Sequence, residues 1–94
     1  MALARVVTFD GVSKDRMDEM KREIEGGPPP EGLAPTEIVV LHDAEGEKSL
    51  VIVFFETEDD YNRGDEVLSA MPAGETPGQR TSVGRYDVAV RATP

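Results

Sequence analysis

Cysteine and tryptophan are absent from this 94-residue chain, histidine occurs once, and Lys and Arg number 10 against 19 Asp and Glu. Without cysteine there is no disulfide framework, no thiolate nucleophile and no thiolate metal site. A formal net charge of −9 leaves too little positive surface to neutralise phosphates, which excludes a typical nucleic-acid binder and disfavours anionic membranes. No apolar run approaches the roughly 20 residues that span a bilayer. The opening MALARVVTFDGV lacks the long apolar region and small-residue cleavage site of a signal peptide. A soluble, cytoplasmic protein is expected, its acidic balance serving solubility. The dinucleotide-binding glycine pattern, the P-loop, the serine-hydrolase elbow and the zinc-protease helix motif do not occur. No cofactor or metal is expected.

What is present spells out a small domain. LARVVTF (3–9) is rich in β-branched residues and reads as a strand. Ser13 is a good helix N-cap, Asp15 and Asp18 suit the first turns, and Met17, Met20 and Ile24 recur at helical spacing. Gly26 and Gly27 stop that helix, and Pro28, Pro29 and Pro30 keep it stopped. TEIVVLH (36–42) reads as a second strand. It joins a third, from about Ser49 to Glu56, through the turn DAEGEK as an antiparallel hairpin. Thr57 caps a second helix, with Asp60 at the spacing of a capping box. Tyr61, Gly64 or Asp65, Leu68 and Met71 form its inward stripe, and Pro72 ends it. TSVGRYDVAVRA (81–92) is the last strand, with Tyr86, Val88 and Val90 on one face. The order β-α-β-β-α-β is the ferredoxin-like arrangement. It predicts one α+β domain over residues 1–94, with a four-stranded antiparallel sheet, helices on one face, and the first and third strands central.

Leu50 to Phe55 are all apolar. In a central strand, either Val51, Val53 and Phe55 or Leu50, Ile52 and Phe54 pack on the helices, and the other set faces away. Three large side chains in a row, beside those of strand one, make a patch larger than soluble monomers usually leave open. A second copy is the simplest cover, pairing sheet to sheet about a two-fold axis as a dimeric barrel. The proline loop or the C-terminal tail, folded over the sheet, is the alternative.

Candidate chemistry is sparse. His42, the lone histidine, ends strand two beside Asp43, Glu45 and Glu47. It reads either as a general base or as a polar hairpin end. One histidine with turn carboxylates is a poor transition-metal set, and DAEGE lacks the spacing of a calcium loop. Arg5, Arg85, Asp87 and Arg91 fall at alternating strand positions. They suggest either a polar patch for an anionic or phenolic ligand or ordinary cross-strand ion pairs. Tyr61 and Tyr86 each offer an apolar ring with a hydroxyl tip that suits a cavity between helix and sheet.

FFETEDDYNRGDEVLSAMP followed by TPGQRTSVGRYDVAV resembles small bacterial proteins of the dimeric α+β barrel superfamily, the antibiotic-biosynthesis-monooxygenase-like proteins. There a strand leads into an acidic-capped helix with GD…L..MP, then a last strand with SV..Y.V. The likeness spans nearly the whole chain and implies the ferredoxin-like fold and a homodimer joined through the sheet. In the superfamily's monooxygenases and haem degraders, activity goes with polar residues, often an Asn, a Trp and a His or Arg, between helices and sheet. This chain has no Trp and no His on either helix, and its Asn62 is expected to face water, which counts against haem degradation. Three functions follow as expectations. The first is a homodimer that binds a small hydrophobic or phenolic metabolite at Tyr61, Arg85 or Tyr86. The second is a cofactor-independent monooxygenase or isomerase using His42 or Tyr86. The third is an acidic module that meets a basic protein partner.

Overall fold

A computed structural model describes residues 2–27, 35–70 and 78–92. Six elements follow in order: β1 (Leu3–Asp10), α1 (Lys14–Gly26), β2 (Glu37–Asp43), β3 (Lys48–Phe55), α2 (Glu58–Ser69) and β4 (Gln79–Asp87). The sheet order is β2-β3-β1-β4, every neighbouring pair is antiparallel, and β1 and β3 are central as expected. Both helices lie on one face, the ferredoxin-like α+β arrangement. The proline loop, Met71 and Pro72 lie outside the described residues.

Local signals set the helix starts. The Ser13 hydroxyl accepts from the Arg16 amide at 3.1 Å, and the Thr57 hydroxyl accepts from the Asp60 amide at 3.1 Å. Each satisfies one of the amide donors left over at a helix N-terminus. The β2–β3 turn closes with the Gly46 amide donating to Asp43 Oδ1 at 3.2 Å, and Glu47 takes a positive φ of 51°.

Register decides which way each strand residue points. Leu3 faces Phe55 across the β1–β3 ladder, Arg5 faces Val53, and Val7 faces Val51. These residues form the inner face beneath the helices. Leu3, Val53, Phe55 and Tyr61 make one buried cluster, with Ile38, Val51 and Leu68 packed on it. Val7, Phe9 and Val12 make a second, joined by Met17. The choice left open for β3 is therefore resolved. Val51, Val53 and Phe55 face inward; Leu50, Ile52 and Phe54 face away.

The last strand differs from expectation. It ends at Asp87, not Ala92, because its partner β1 begins at Leu3 and no further ladder exists. One bond continues the path, from the Val88 amide to the Ala2 carbonyl at 3.0 Å. Val88 and Val90 therefore do not share a strand face with Tyr86. The following residues turn beneath the sheet, where the Arg91 guanidinium sits 4.7 Å from the Phe54 ring centroid and 3.6 Å from Glu37. The tail thus covers the Phe54 end of the outer face.

Candidate functional site

Alternation along β1 places Arg5 between Leu3 and Val7 on the inner face, where it is 3% exposed. A charge buried there needs a partner. α2 supplies one: Arg5 Nε donates to Asp65 Oδ1 at 2.8 Å, and an Nη donates to the Ser69 hydroxyl at 3.3 Å. Arg85 is the register partner of Arg5 on β4. Its guanidinium lies 5.0 Å from the Tyr61 ring centroid and donates to Glu58 at 3.2 Å. Tyr61 stands between the two arginines, its ring edge-on to Phe55 at 5.6 Å and 75°.

Burial of the Tyr61 ring, and next the Asp65 carboxylate, push its phenol above the ordinary 10.0, while Arg5 and Arg85 pull the other way. The phenol is therefore neutral at physiological pH and can donate a hydrogen bond. Arg5 is committed to Asp65, so Arg85, half exposed and, among the described residues, paired with an exposed glutamate, is an accessible cation beside it. Tyr61 and Arg85, chosen as ligand candidates from the sequence, thus stand together.

The other candidates do not join them. The four polar residues expected to form one patch are divided. Arg5 is sealed beneath α2, Arg85 flanks Tyr61, Arg91 caps Phe54 on the opposite face, and Asp87 is exposed at the β4 end. Tyr86 lines no helix–sheet cavity, because it pairs with Ala4 on the outer face. It is 59% exposed, and its ring lies across Gly84, where a methyl group would meet it at 2.7 Å. Asn62 is exposed, as its helical position suggested.

His42 is positioned by β2 on the inner face, beside buried Ser49. Its Nε2–H donates to the Val12 carbonyl at 2.9 Å, while the Val12 amide donates to the Glu47 carbonyl at 2.7 Å. The histidine thus pins the β1–α1 connection to the hairpin. No hydrogen bond or ion pair joins it to Asp43, Glu45 or Glu47 among the described residues, and no cluster of three metal-ligating side chains occurs among them. His42 and Tyr86 lie on opposite faces of the sheet and do not form one site.

The outer face carries the larger feature. Ala4, Val6 and Thr8 of β1, Leu50, Ile52 and Phe54 of β3, and Val39 and Leu41 of β2 share it by register. Leu41 is 49% exposed, and Leu50, Ile52 and Val39 are half-buried. An open depression of about 540 Å³ lies at one end, lined in part by Thr8, Leu41, Leu50, Lys48, Asp10 and Asp43. No helix among the described residues is long and apolar enough to cross a membrane.

These features define a class, a ferredoxin-like α+β domain whose outer sheet face is largely apolar. No family model matches the chain, and no curated protein is significantly similar to it.

Proposed function

We propose that residues 1–94 form one dimeric α+β barrel domain of the antibiotic-biosynthesis-monooxygenase-like type, cytoplasmic, that assembles as a homodimer through its outer sheet face and binds a small hydrophobic or phenolic metabolite. The carrying observation is the apolar outer face, on which Leu50 and Ile52 stand beside Val6, Val39 and Leu41 with both helices on the other side. Most of these side chains are already half-buried, so covering what remains contributes about half of the roughly 1.5–3 kcal/mol that full burial of an aliphatic side chain supplies. Several of them, doubled by a two-fold axis, offset the roughly 4–15 kcal/mol that association costs. The tail sets Arg91 over Phe54, while Leu41 on the same face stays 49% exposed.

For the ligand, the supporting observation is Tyr61 beside Arg85. A neutral phenol that donates and an accessible guanidinium suit a ligand with one anionic or phenolic oxygen and an apolar body. A binding role is preferred to turnover because His42, its Nε2–H held by the Val12 carbonyl, lies at the opposite end of the sheet from Tyr61 and on the opposite face from Tyr86.

Native mass spectrometry of freshly purified protein tests both parts. A dimer that falls to a folded monomer in Ile52→Glu supports the assembly. Retained small-molecule mass that is lost in Tyr61→Phe and Arg85→Ala supports the ligand site. A wild-type monomer at tens of micromolar overturns the assembly.

A further inference from the structure

Arg5 and Arg85 stand directly opposite each other in the β1–β4 ladder, on the face beneath the helices. Like charges so placed repel. α2 answers each with one carboxylate, Asp65 at 2.8 Å from Arg5 and Glu58 at 3.2 Å from Arg85. The two answers are unequal. Arg5 is buried and its guanidinium also donates to the Ser69 hydroxyl, so the pair with Asp65 is fixed in place. The Arg85 and Glu58 side chains are 46% and 68% exposed, and a single hydrogen bond joins them. One carboxylate position beside Tyr61 is therefore permanent and the other exchangeable.

We propose that the exchangeable position is where the ligand's anion sits: the carboxylate of a small apolar acid displaces Glu58 from Arg85, with one oxygen on the guanidinium and the other on the Tyr61 hydroxyl. The proposal rests on the Tyr61–Arg85 ligand reading and names the anion that the site takes.

The donors for such a group are in place. A guanidinium carries five N–H donors, and among the described residues Arg85 uses one of them, toward Glu58. Loss of Glu58 does not set Arg85 loose, because its guanidinium also lies 5.0 Å from the Tyr61 ring centroid, within cation–π range. The Tyr61 hydroxyl forms no hydrogen bond among the described residues, and no fully buried polar side-chain atom there lacks a partner. The hydroxyl tip thus reaches accessible space although the ring is buried. Burial keeps that phenol protonated, so it donates. A carboxylate is charged near neutrality and offers two oxygens to these two donors. A simple phenol is neutral there, offers one oxygen, and brings no charge in exchange for that of Glu58. Glu58 itself is exposed at the start of α2, and an ion pair between exposed side chains is weak. Its release costs little, and in the empty site it keeps Arg85 matched.

Amide-resolved NMR titration of the full chain with sodium benzoate, and separately with phenol, tests this at constant ionic strength. Benzoate is expected to shift the Tyr61 and Arg85 amides saturably, with about fivefold or more the affinity of phenol. Arg85→Gln is expected to abolish saturation. Tyr61→Phe, which keeps the ring, is expected to weaken benzoate by about threefold or more. Glu58→Gln is expected to tighten benzoate by about two- to fivefold, the range that an exposed ion pair is worth, and to leave phenol unchanged. Asp59→Asn makes the same change of charge in the same turn of α2 and is expected to tighten benzoate less. The spectrum of each variant reports whether it is folded. Phenol bound at Tyr61 and Arg85 in preference to benzoate overturns the proposal and leaves the ligand reading standing. Benzoate bound there but tightened no more by Glu58→Gln than by Asp59→Asn overturns the displacement. Neither probe shifting those amides at millimolar concentration overturns the ligand reading together with the proposal.

Discussion

Removing Asp65 is expected to destabilise this protein more than removing the arginine it holds. Arg5 is buried, and its charge is met by Asp65 Oδ1 at 2.8 Å and the Ser69 hydroxyl at 3.3 Å. Deleting one partner of a buried pair costs about 3–5 kcal/mol, because the other charge is left unmatched in low dielectric. The Asp65 side chain is 43% exposed, so water reaches the vacated position and Ser69 still accepts one bond. That reduces the expected loss for Asp65→Ala to about 2 kcal/mol. For a domain this size, such a loss lowers Tm by about 8–16 °C. Arg5→Met removes the buried charge and keeps an apolar stem of similar length, and it is expected to cost no more than about 1 kcal/mol. Asp65→Ala in the Arg5→Met background is then nearly silent. Urea unfolding followed by far-ultraviolet circular dichroism, at one protein concentration, reads all four corners of the cycle. The reasoning fails if Asp65→Ala lies within about 0.5 kcal/mol of wild type, or if its cost is unchanged when Arg5 is methionine.

Tyr61 yields a titration prediction. In Tyr86→Phe a single phenol remains, and its ultraviolet phenolate signal is expected to rise with a midpoint above 10.0; Asp65→Asn is expected to lower that midpoint by removing a nearby negative charge. The phenol's folded-state pKa is raised, so its contribution to stability is full below the unfolded value near 10 and is lost as pH climbs through the folded value. Denaturation midpoints should therefore fall on the alkaline side of pH 10, and less steeply in Tyr61→Phe. His42→Ala is expected to cost about 1 kcal/mol and to speed amide exchange at Val12, where the bond to the connection is lost; unchanged exchange there would remove the pinning role. Thr57→Ala, which strips the α2 cap, is expected to cost about 1 kcal/mol in urea unfolding.

The frame of the fold was legible because local signals agree with one another. Ser13 and Thr57 mark both helix starts, and the turn at Asp43 to Gly46 marks the hairpin. The last strand was overextended because Tyr86, Val88 and Val90 alternate like a strand. Alternation cannot reveal that the neighbouring strand has already run out. Arg5 groups in the sequence with Arg85, Asp87 and Arg91 because all four are charged and fall at alternating positions of neighbouring strands. Its parity with Leu3 and Val7 was the available signal for burial, and Asp65 on the inward side of α2 was the signal for its partner. The orientation of β3 was undecidable locally, since all of its central residues are apolar; only pairing with β1 and α2 fixes it. The proximity of Tyr61 and Arg85 was also invisible, because it joins a helix to a strand that chain order keeps apart.

α1 is anchored differently from the rest. It buries none of its residues, Ile24 on its apolar stripe is 40% exposed, and among the described residues Met17 packs against a core cluster. α2, by contrast, buries Tyr61 and Gly64 and is bonded through Asp65 to the sheet. Amides of α1 are therefore expected to exchange with solvent faster than those of α2 while the sheet stays closed. Native-state hydrogen exchange resolved by residue reads that difference; equal protection in α1 and α2 would contradict it. The global unfolding transition of this 94-residue chain would then coexist with a gradient of local opening beneath it, shallowest at α1 and deepest in the central strands.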